Sequence, residues 1–301
     1  MKIGFIGLGR MGFNMALNLK DHNVGVVAYN RSPEPVNEIR KKGVGAAYSV
    51  KELIGKLPKQ KIVWIMVTAG KPVDAVMEEL LPYLKKWDIV IDGGNSFYKD
   101  SVRRYNYLKK KDINFIDIGT SGGLKGARHG ACLTIGGDNG IFRKIEFLCK
   151  AVSAKNGYAY VGPAGAGHFV KMVHNGIEYA MLQAYGEGFE LLFKGPYKNL
   201  DFQKISNTWK NGSIIRSYLI ELAEDAFRKD PKLNKIEGVV GGGETGKWAI
   251  DTANEFNVDA GTMKLALSER KKSKKKPRFS GKVVAALRNE FGGHEVFKKK
   301  D

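Results

Sequence analysis

The alternation of apolar and polar positions divides the chain in two. Over the first half, short apolar runs alternate with amphipathic stretches. Residues 2–6, 24–29, 61–67, 88–91 and 114–118 are brief and almost uniformly apolar, the pattern of strands buried on both faces. Residues 133–137 read as one more strand or hairpin closing this region. Gly162-Pro163-Ala164-Gly165 then interrupts the pattern. Beyond it no strand pattern recurs. Residues 171–193 read as one long helix, and 205–209, 213–227, 247–256, 260–269 and 281–291 as further helices. The predicted architecture is an α/β domain over 1–162 and an all-α domain over 163–301.

The first strand runs into Gly7-Leu8-Gly9-Arg10-Met11-Gly12 and then a helical pattern through Met15, Ala16 and Leu19. Strand, G-x-G-x-x-G, helix is a dinucleotide-binding arrangement. Gly7 permits the tight turn, Gly9 lets backbone approach a pyrophosphate at the helix N-terminus, and Gly12 allows helix and strand to pack closely. The α/β domain is therefore read as Rossmann-like. The second strand ends at Asn30-Arg31-Ser32, with no acid between Val24 and Pro33. A carboxylate there would hold a ribose 2′-hydroxyl, whereas an arginine takes a 2′-phosphate, so NADP is expected over NAD. Later strands run into Val67-Thr68-Ala69, Asp92-Gly93-Gly94-Asn95-Ser96 and Gly119-Thr120-Ser121-Gly122-Gly123. Ligands of open α/β sheets lie outside the carboxyl ends of the strands, so Asn95, Ser121, Gly122 and Gly123 are placed around the nicotinamide.

The strongest chemistry lies at the start of the long helix. Lys171, His174, Asn175 and Glu178 stand at i, i+3, i+4 and i+7, within an arc of roughly 100°. An amine and a carboxylate there can serve as two separate proton-transfer groups. Val173, Ile177, Ala180 and Ala184 lie opposite, where a core is expected, leaving the polar face toward solvent.

Composition narrows the setting. No apolar run reaches the roughly 20 residues of a membrane helix, and a strand beginning at residue 2 leaves no room for a signal peptide. Cys132 and Cys149 make no disulfide framework, and no Cys/His spacing suggests a metal, so a reduced cytoplasmic setting and no metal are expected. The net charge of +19 is densest at Lys271–Pro277 and Lys298–Lys300. Neither run is interleaved with stacking aromatics, so a basic solvated surface that steers anions is favoured over a nucleic-acid site.

The chain resembles the decarboxylating 6-phosphogluconate dehydrogenases in their short form. The resemblance rests on Gly7–Gly12, Asn30-Arg31, Asp92–Ser96, Ser121–Gly123 with Gly126-Ala127-Arg128, the block Gly167–Tyr179, and Arg288–His294. It implies oxidation of 6-phosphogluconate at C3 by NADP, loss of CO2 and protonation of the enediol to ribulose 5-phosphate, a pentose phosphate pathway step, with no metal. Lys171 then matches the general base and Glu178 the acid. Asn95, Ser121, Gly122, Gly123, His174 and Asn175 match residues holding the sugar acid, and Tyr179, Arg270, Arg288 and His294 phosphate contacts. A homodimer is implied, with Arg288 and His294 reaching across from the partner subunit. One departure stands out: the longer relatives carry a phosphate-contacting lysine where this chain has Gly243, so either Lys247 or Arg270 compensates or phosphate affinity is lower. The alternative is a related β-hydroxyacid dehydrogenase acting on a non-phosphorylated substrate.

Overall fold

The computed structural model describes residues 1–297. Strands β1 (Lys2–Ile6), β2 (Gly25–Tyr29), β3 (Gly45–Ala47), β4 (Ile62–Ile65), β5 (Ile89–Asp92), β6 (Asn114–Ser121), β7 (Ala131–Gly137) and β8 (Ser153–Gly162) form one sheet in the order β3-β2-β1-β4-β5-β6-β7-β8. From β3 to β6 every pairing is parallel; β7 pairs antiparallel with β6, and β8 runs parallel to β7. The strand order reverses at β1, between β2 and β4, which is where an open sheet of this kind opens a ligand crevice. Helices α1 (Arg10–Asp21), α2 (Pro33–Lys41), α3 (Val50–Gly55), α4 (Lys71–Leu80), α5 (Tyr98–Lys109), α6 (Gly123–His129) and α7 (Asn139–Val152) connect the strands.

Side chains alternate across the sheet and feed two cores. Ile3, Phe5, Val26, Ala28, Trp64 and Ile91 pack on one face with Met15 and Leu19 of α1 and Ile145 and Leu148 of α7. Ile6, Val27, Val63, Ile65 and Val90 pack on the other with Leu53, Val73, Met77 and Leu108 of α3, α4 and α5. This two-sided burial is why β4 and β5 read as continuous apolar runs. β3 and β8, the two edge strands, are the ones the pattern missed. β3 is three residues long, and β8 is mostly exposed with no apolar run to betray it.

Helices α8 (Ala166–Lys194), α9 (Phe202–Lys210), α10 (Tyr218–Lys229), α11 (Glu244–Glu255), α12 (Gly261–Ser273) and α13 (Phe279–Gly292) follow. All described strands precede residue 163. Two compact units divide between Met172 and Val173, later than the expected break at 162/163, because the first turns of α8 pack into the first unit. The second unit has its own core of Leu182, Phe189, Phe202, Ile220, Phe227, Val283 and Leu287. Two helices differ from expectation. Residues 213–217, read as helical, form turns, and α10 starts at Tyr218. α13, expected over 281–291, begins at Phe279. Phe279 to Leu287 is buried nearly all round, since the helix runs through the middle of that core.

Candidate active site

The dinucleotide fingerprint has the geometry its glycines predict. Gly7 takes φ +101°, and a Cβ there would lie 2.4 Å from the Met66 carbonyl oxygen. A Cβ on Gly12 would lie 2.0 Å from the Gly7 oxygen, so α1 can sit on β1 only without one. At Gly9 nothing lies within 4 Å. The loop is therefore closed toward the chain and open where a pyrophosphate would approach, at the start of a helix whose N-cap, Gly9, supplies no capping side chain. Leu8, Arg10 and Met11 belong to this turn. The Asn30 side chain, expected to face the cofactor, has a structural duty as well. Its Oδ1 accepts from the Leu8 amide at 2.9 Å, and its Nδ2 donates to the Ser32 carbonyl at 3.1 Å. Arg31 and Ser32 are exposed beside it. Val67, Thr68 and Ala69 follow β4, across the crevice from the fingerprint's own strand.

The loop after β5 is held by buried charge. Arg104 of α5 is 1% exposed and Asp92 fully buried. Arg104 Nη1 is 3.3 Å from Asp92 Oδ2 and from Ser96 Oγ, Nη2 donates to the Gly70 carbonyl at 3.0 Å, and Nε to Asp74 Oδ1 at 2.8 Å. Ser96 Oγ donates to Asp92 at 2.7 Å. One guanidinium thus ties the loop carrying Thr68 and Ala69 to the loop carrying Asn95. Burial pushes the Asp74 carboxyl up, but Arg104 and Arg103 outweigh it and hold it below the usual range. Asn95 itself is exposed at the loop's crest. Ser121, Gly122 and Gly123 follow at the end of β6, with Gly122 left-handed at φ +113° as the cap of α6.

The start of α8 lies directly on β6 and β7. Asp117, fully buried, accepts from the amides of Gly165 (2.7 Å) and His168 (2.9 Å), and Thr134 Oγ1 donates to the Gly167 carbonyl at 2.8 Å. A Cβ on Gly119 would come within 2.4 Å of Lys171 Cβ. Lys171 is 8% exposed, not on a solvent face. Sequence reasoning missed Arg104, Asp117 and the role of His168, whose partners are distant in the chain.

In the second unit the helix turns its polar side inward. Asn175 is buried, on the same face as Leu182 and Phe189. Val173, Ile177 and Ala184, expected in the core, are exposed. Burial follows close packing here: Gly176 and Gly186 let α12 and α13 approach, and the apolar side of this stretch is left outside. His174 Nδ1 is 3.3 Å from Asn175 Oδ1 and 3.8 Å from Glu178 Oε2.

Tyr179, Arg270 and Arg288 are brought together. The Arg270 guanidinium stacks on the Tyr179 ring at 3.7 Å, the Tyr179 hydroxyl meets Thr245 Oγ1 at 2.9 Å, and a Cβ on Gly246 would strike that ring at 2.4 Å. Arg270 is 4% exposed and its Nη1 has no hydrogen-bond partner among the described residues. Burial, reinforced by the Arg270 charge, pulls the Arg288 guanidinium down to about 10, against the opposing pull of Tyr179 and Glu178. Gly243 caps α11 at φ +132°, and a Cβ there would lie 3.8 Å from Arg270 Cδ, so Arg270 stands beside the position of the missing lysine.

Within the chain, Arg288 lies in the electrostatic reach of Arg270 and Tyr179. Gly293, left-handed at φ +57°, ends α13 and turns the chain back. The His294 ring packs edge-on to Phe291, its carbonyl accepts from Asn289 Nδ2, and the Phe297 carbonyl accepts from the Glu237 amide. Lys298–Lys300 lie outside the described residues.

Together these features define a nicotinamide dinucleotide-binding α/β domain joined to a helical domain that carries a buried cationic cluster. Residues 2–162 match the NAD binding domain of 6-phosphogluconate dehydrogenase, and residues 167–300 match the 6-phosphogluconate dehydrogenase C-terminal domain. The chain belongs to the 6-phosphogluconate dehydrogenase family. It is 46% identical to YqeC of Bacillus subtilis over 99% of this chain and 100% of that one. It is 42% identical, over the full length of both, to a Haloferax volcanii protein named as an NAD(+)-dependent, decarboxylating 6-phosphogluconate dehydrogenase. Plasmodium falciparum 6-phosphogluconate dehydrogenase, whose structures are described in apo form and with NADP+ or 6-phosphogluconate, superposes with a TM-score of 0.84 at 34% identity, covering 92% of this chain and 62% of that one.

Proposed function

We propose that this chain oxidatively decarboxylates 6-phosphogluconate to ribulose 5-phosphate and CO2, with NADP as hydride acceptor, the step that belongs to the pentose phosphate pathway. The observation that carries the reading is the pair of buried guanidiniums, Arg270 and Arg288, with an Arg270 Nη1 that has no hydrogen-bond partner among the described residues. Two buried like charges are costly unless an anion neutralises them, and a phosphate dianion fits that demand through charge-assisted bonds. Tyr179 supplies a hydroxyl beside them, and His294 is assigned to the same group of phosphate contacts.

The bound dinucleotide supplies the acceptor for the C3 hydride. Lys171, unprotonated, takes the 3-hydroxyl proton. The resulting ammonium then polarises the C3 keto oxygen while the C1 carboxylate leaves as CO2. Glu178, two turns further along α8, donates a proton to the enediol carbon. Asn95, Ser121, Gly122, Gly123, His174 and Asn175 are assigned to orienting the sugar acid. No step requires a metal.

The substrate assignment is tested by comparing 6-phosphogluconate with gluconate. Losing phosphate contacts to two guanidiniums, at about 1.5–3 kcal/mol each, predicts a kcat/KM for gluconate lower by about 10²–10⁴-fold. Equal use of both compounds would favour a β-hydroxyacid dehydrogenase acting on a non-phosphorylated substrate.

NADP preference rests on the absence of an acid after β2 and on exposed Arg31. Arg31→Ala is expected to lower kcat/KM for NADP by about ten- to a hundredfold while leaving NAD use nearly unchanged. A wild-type kcat/KM higher for NAD contradicts the preference without touching the substrate assignment. Self-association completes the reading. Val173, Ile177, Met181 and Leu191 make an exposed apolar stripe on α8, suited to an isologous contact with a second copy.

A further inference from the structure

We propose that His168 is a positioning residue that fixes the Gly94–Asn95 peptide, and through it the Asn95 side chain, relative to the turn of α8 that carries Lys171. The inference rests on the catalytic reading above for its functional meaning, but its geometry stands apart from it. The His168 side chain is fully buried. Its backbone is pinned to β6, since its amide donates to Asp117 Oδ2 at 2.9 Å. Its ring Nδ1 lies 4.0 Å from the same Asp117 Oδ2, and each ring nitrogen has a closer partner. Nε2 is 3.2 Å from the Gly94 carbonyl oxygen, and Nδ1 is 2.7 Å from Ser101 Oγ on α5.

A carbonyl only accepts, so Nε2 carries the hydrogen. In the neutral ring Nδ1 then accepts from the Ser101 hydroxyl. The Gly94 carbonyl thus sets the tautomer, Ser101 helps to hold the ring plane, and the ring in turn holds the Gly94 carbonyl. That carbonyl shares its planar peptide with the Asn95 nitrogen. Holding its oxygen fixes the direction in which the Asn95 chain leaves the loop. On the other side of the same residue, Gly94 N donates to Asp92 Oδ1 at 3.2 Å, and Asp92 is held by Arg104. Gly94 is therefore gripped at both ends, from the β5 side through its amide and from α8 through its carbonyl. Lys171 lies one turn beyond His168, on the same side of the helix. A residue that merely filled space would not need both ring nitrogens satisfied by these two partners.

The two nitrogens can be separated by substitution. Glutamine places an amide N–H near the Nε2 position and can still donate to Gly94. Asparagine reaches only the Nδ1 position and keeps the Ser101 bond alone. The full chain without substrate is compared by hydrogen–deuterium exchange of peptides covering residues 93–97, alongside kcat and KM for 6-phosphogluconate. His168→Asn is expected to speed exchange in that segment by about tenfold and to lower kcat by a similar factor, the scale of one lost hydrogen bond. His168→Gln is expected to stay within about threefold of wild type in both. Should His168→Asn fail to fold, Ser101→Ala frees the ring from its orienting partner and is expected to raise exchange at 93–97 as well. Equal exchange in the Asn and Gln variants, or unchanged exchange in Ser101→Ala, overturns the proposal. Exchange that behaves as expected in a chain inactive on 6-phosphogluconate leaves the positioning role standing and removes the substrate assignment instead.

Discussion

Lys171→Met is expected to lower kcat/KM for 6-phosphogluconate by about 10²–10⁴-fold, the usual contribution of a general acid–base group. The substitution removes the amine and keeps a flexible stem of similar length. Lys171 is 8% exposed and its Cβ lies against Gly119, so the stem's packing is preserved and a buried ionisable group is lost. Unfolding midpoints should therefore match wild type while turnover collapses. Glu178→Gln should separate the steps. Hydride transfer no longer depends on the missing acid, so a first turnover of reduced cofactor should survive while steady-state turnover falls by about 10²-fold. Rapid mixing followed at the absorbance of the reduced nicotinamide distinguishes the two variants. Near-normal steady-state turnover in either would remove that residue from the mechanism.

The second large effect is on stability. Arg104→Leu leaves the fully buried Asp92 carboxylate without its cation and is expected to cost about 3–5 kcal/mol, read as a lower denaturation midpoint. Adding Asp92→Asn should recover a substantial part, because the stranded charge is then gone. The single variant should also respond differently to acid. Asp74 has a folded pKa held below the usual carboxylate range, so its pairing contributes stability above that range and loses it as pH falls through the folded pKa. Without Arg104, less of that stability exists to lose. A single variant as stable as wild type would show that Asp92 is neutralised some other way.

What could be read from the sequence follows physical locality. The Gly7, Gly9 and Gly12 roles were legible because each depends on backbone geometry within one turn, and the structure shows the clashes a Cβ would cause at Gly7 and Gly12. The strands were legible because both faces are buried. The orientation of α8 was not. Its buried face opens with Lys171 and Asn175, and Leu182 and Phe189 follow only further along, so the apolar positions Val173, Ile177 and Ala184 pointed to the wrong side. What seats that face is the close approach of other helices at Gly176 and Gly186, a tertiary fact with no apolar signature. Asp117 and Arg104 escaped notice for a related reason. Their partners Gly165, His168, Asp74 and Gly70 are far along the chain, and a lone buried charge looks in sequence like a surface one.

The most direct test of the central claim is the stoichiometry of the reaction. The purified full chain is mixed with 6-phosphogluconate and NADP, with NAD in parallel, and reduced cofactor and CO2 are measured together. One CO2 released per reduced nicotinamide, with ribulose 5-phosphate as the product and the faster rate with NADP, is the predicted result. No reduced nicotinamide from either cofactor, or reduction without CO2, would contradict the account.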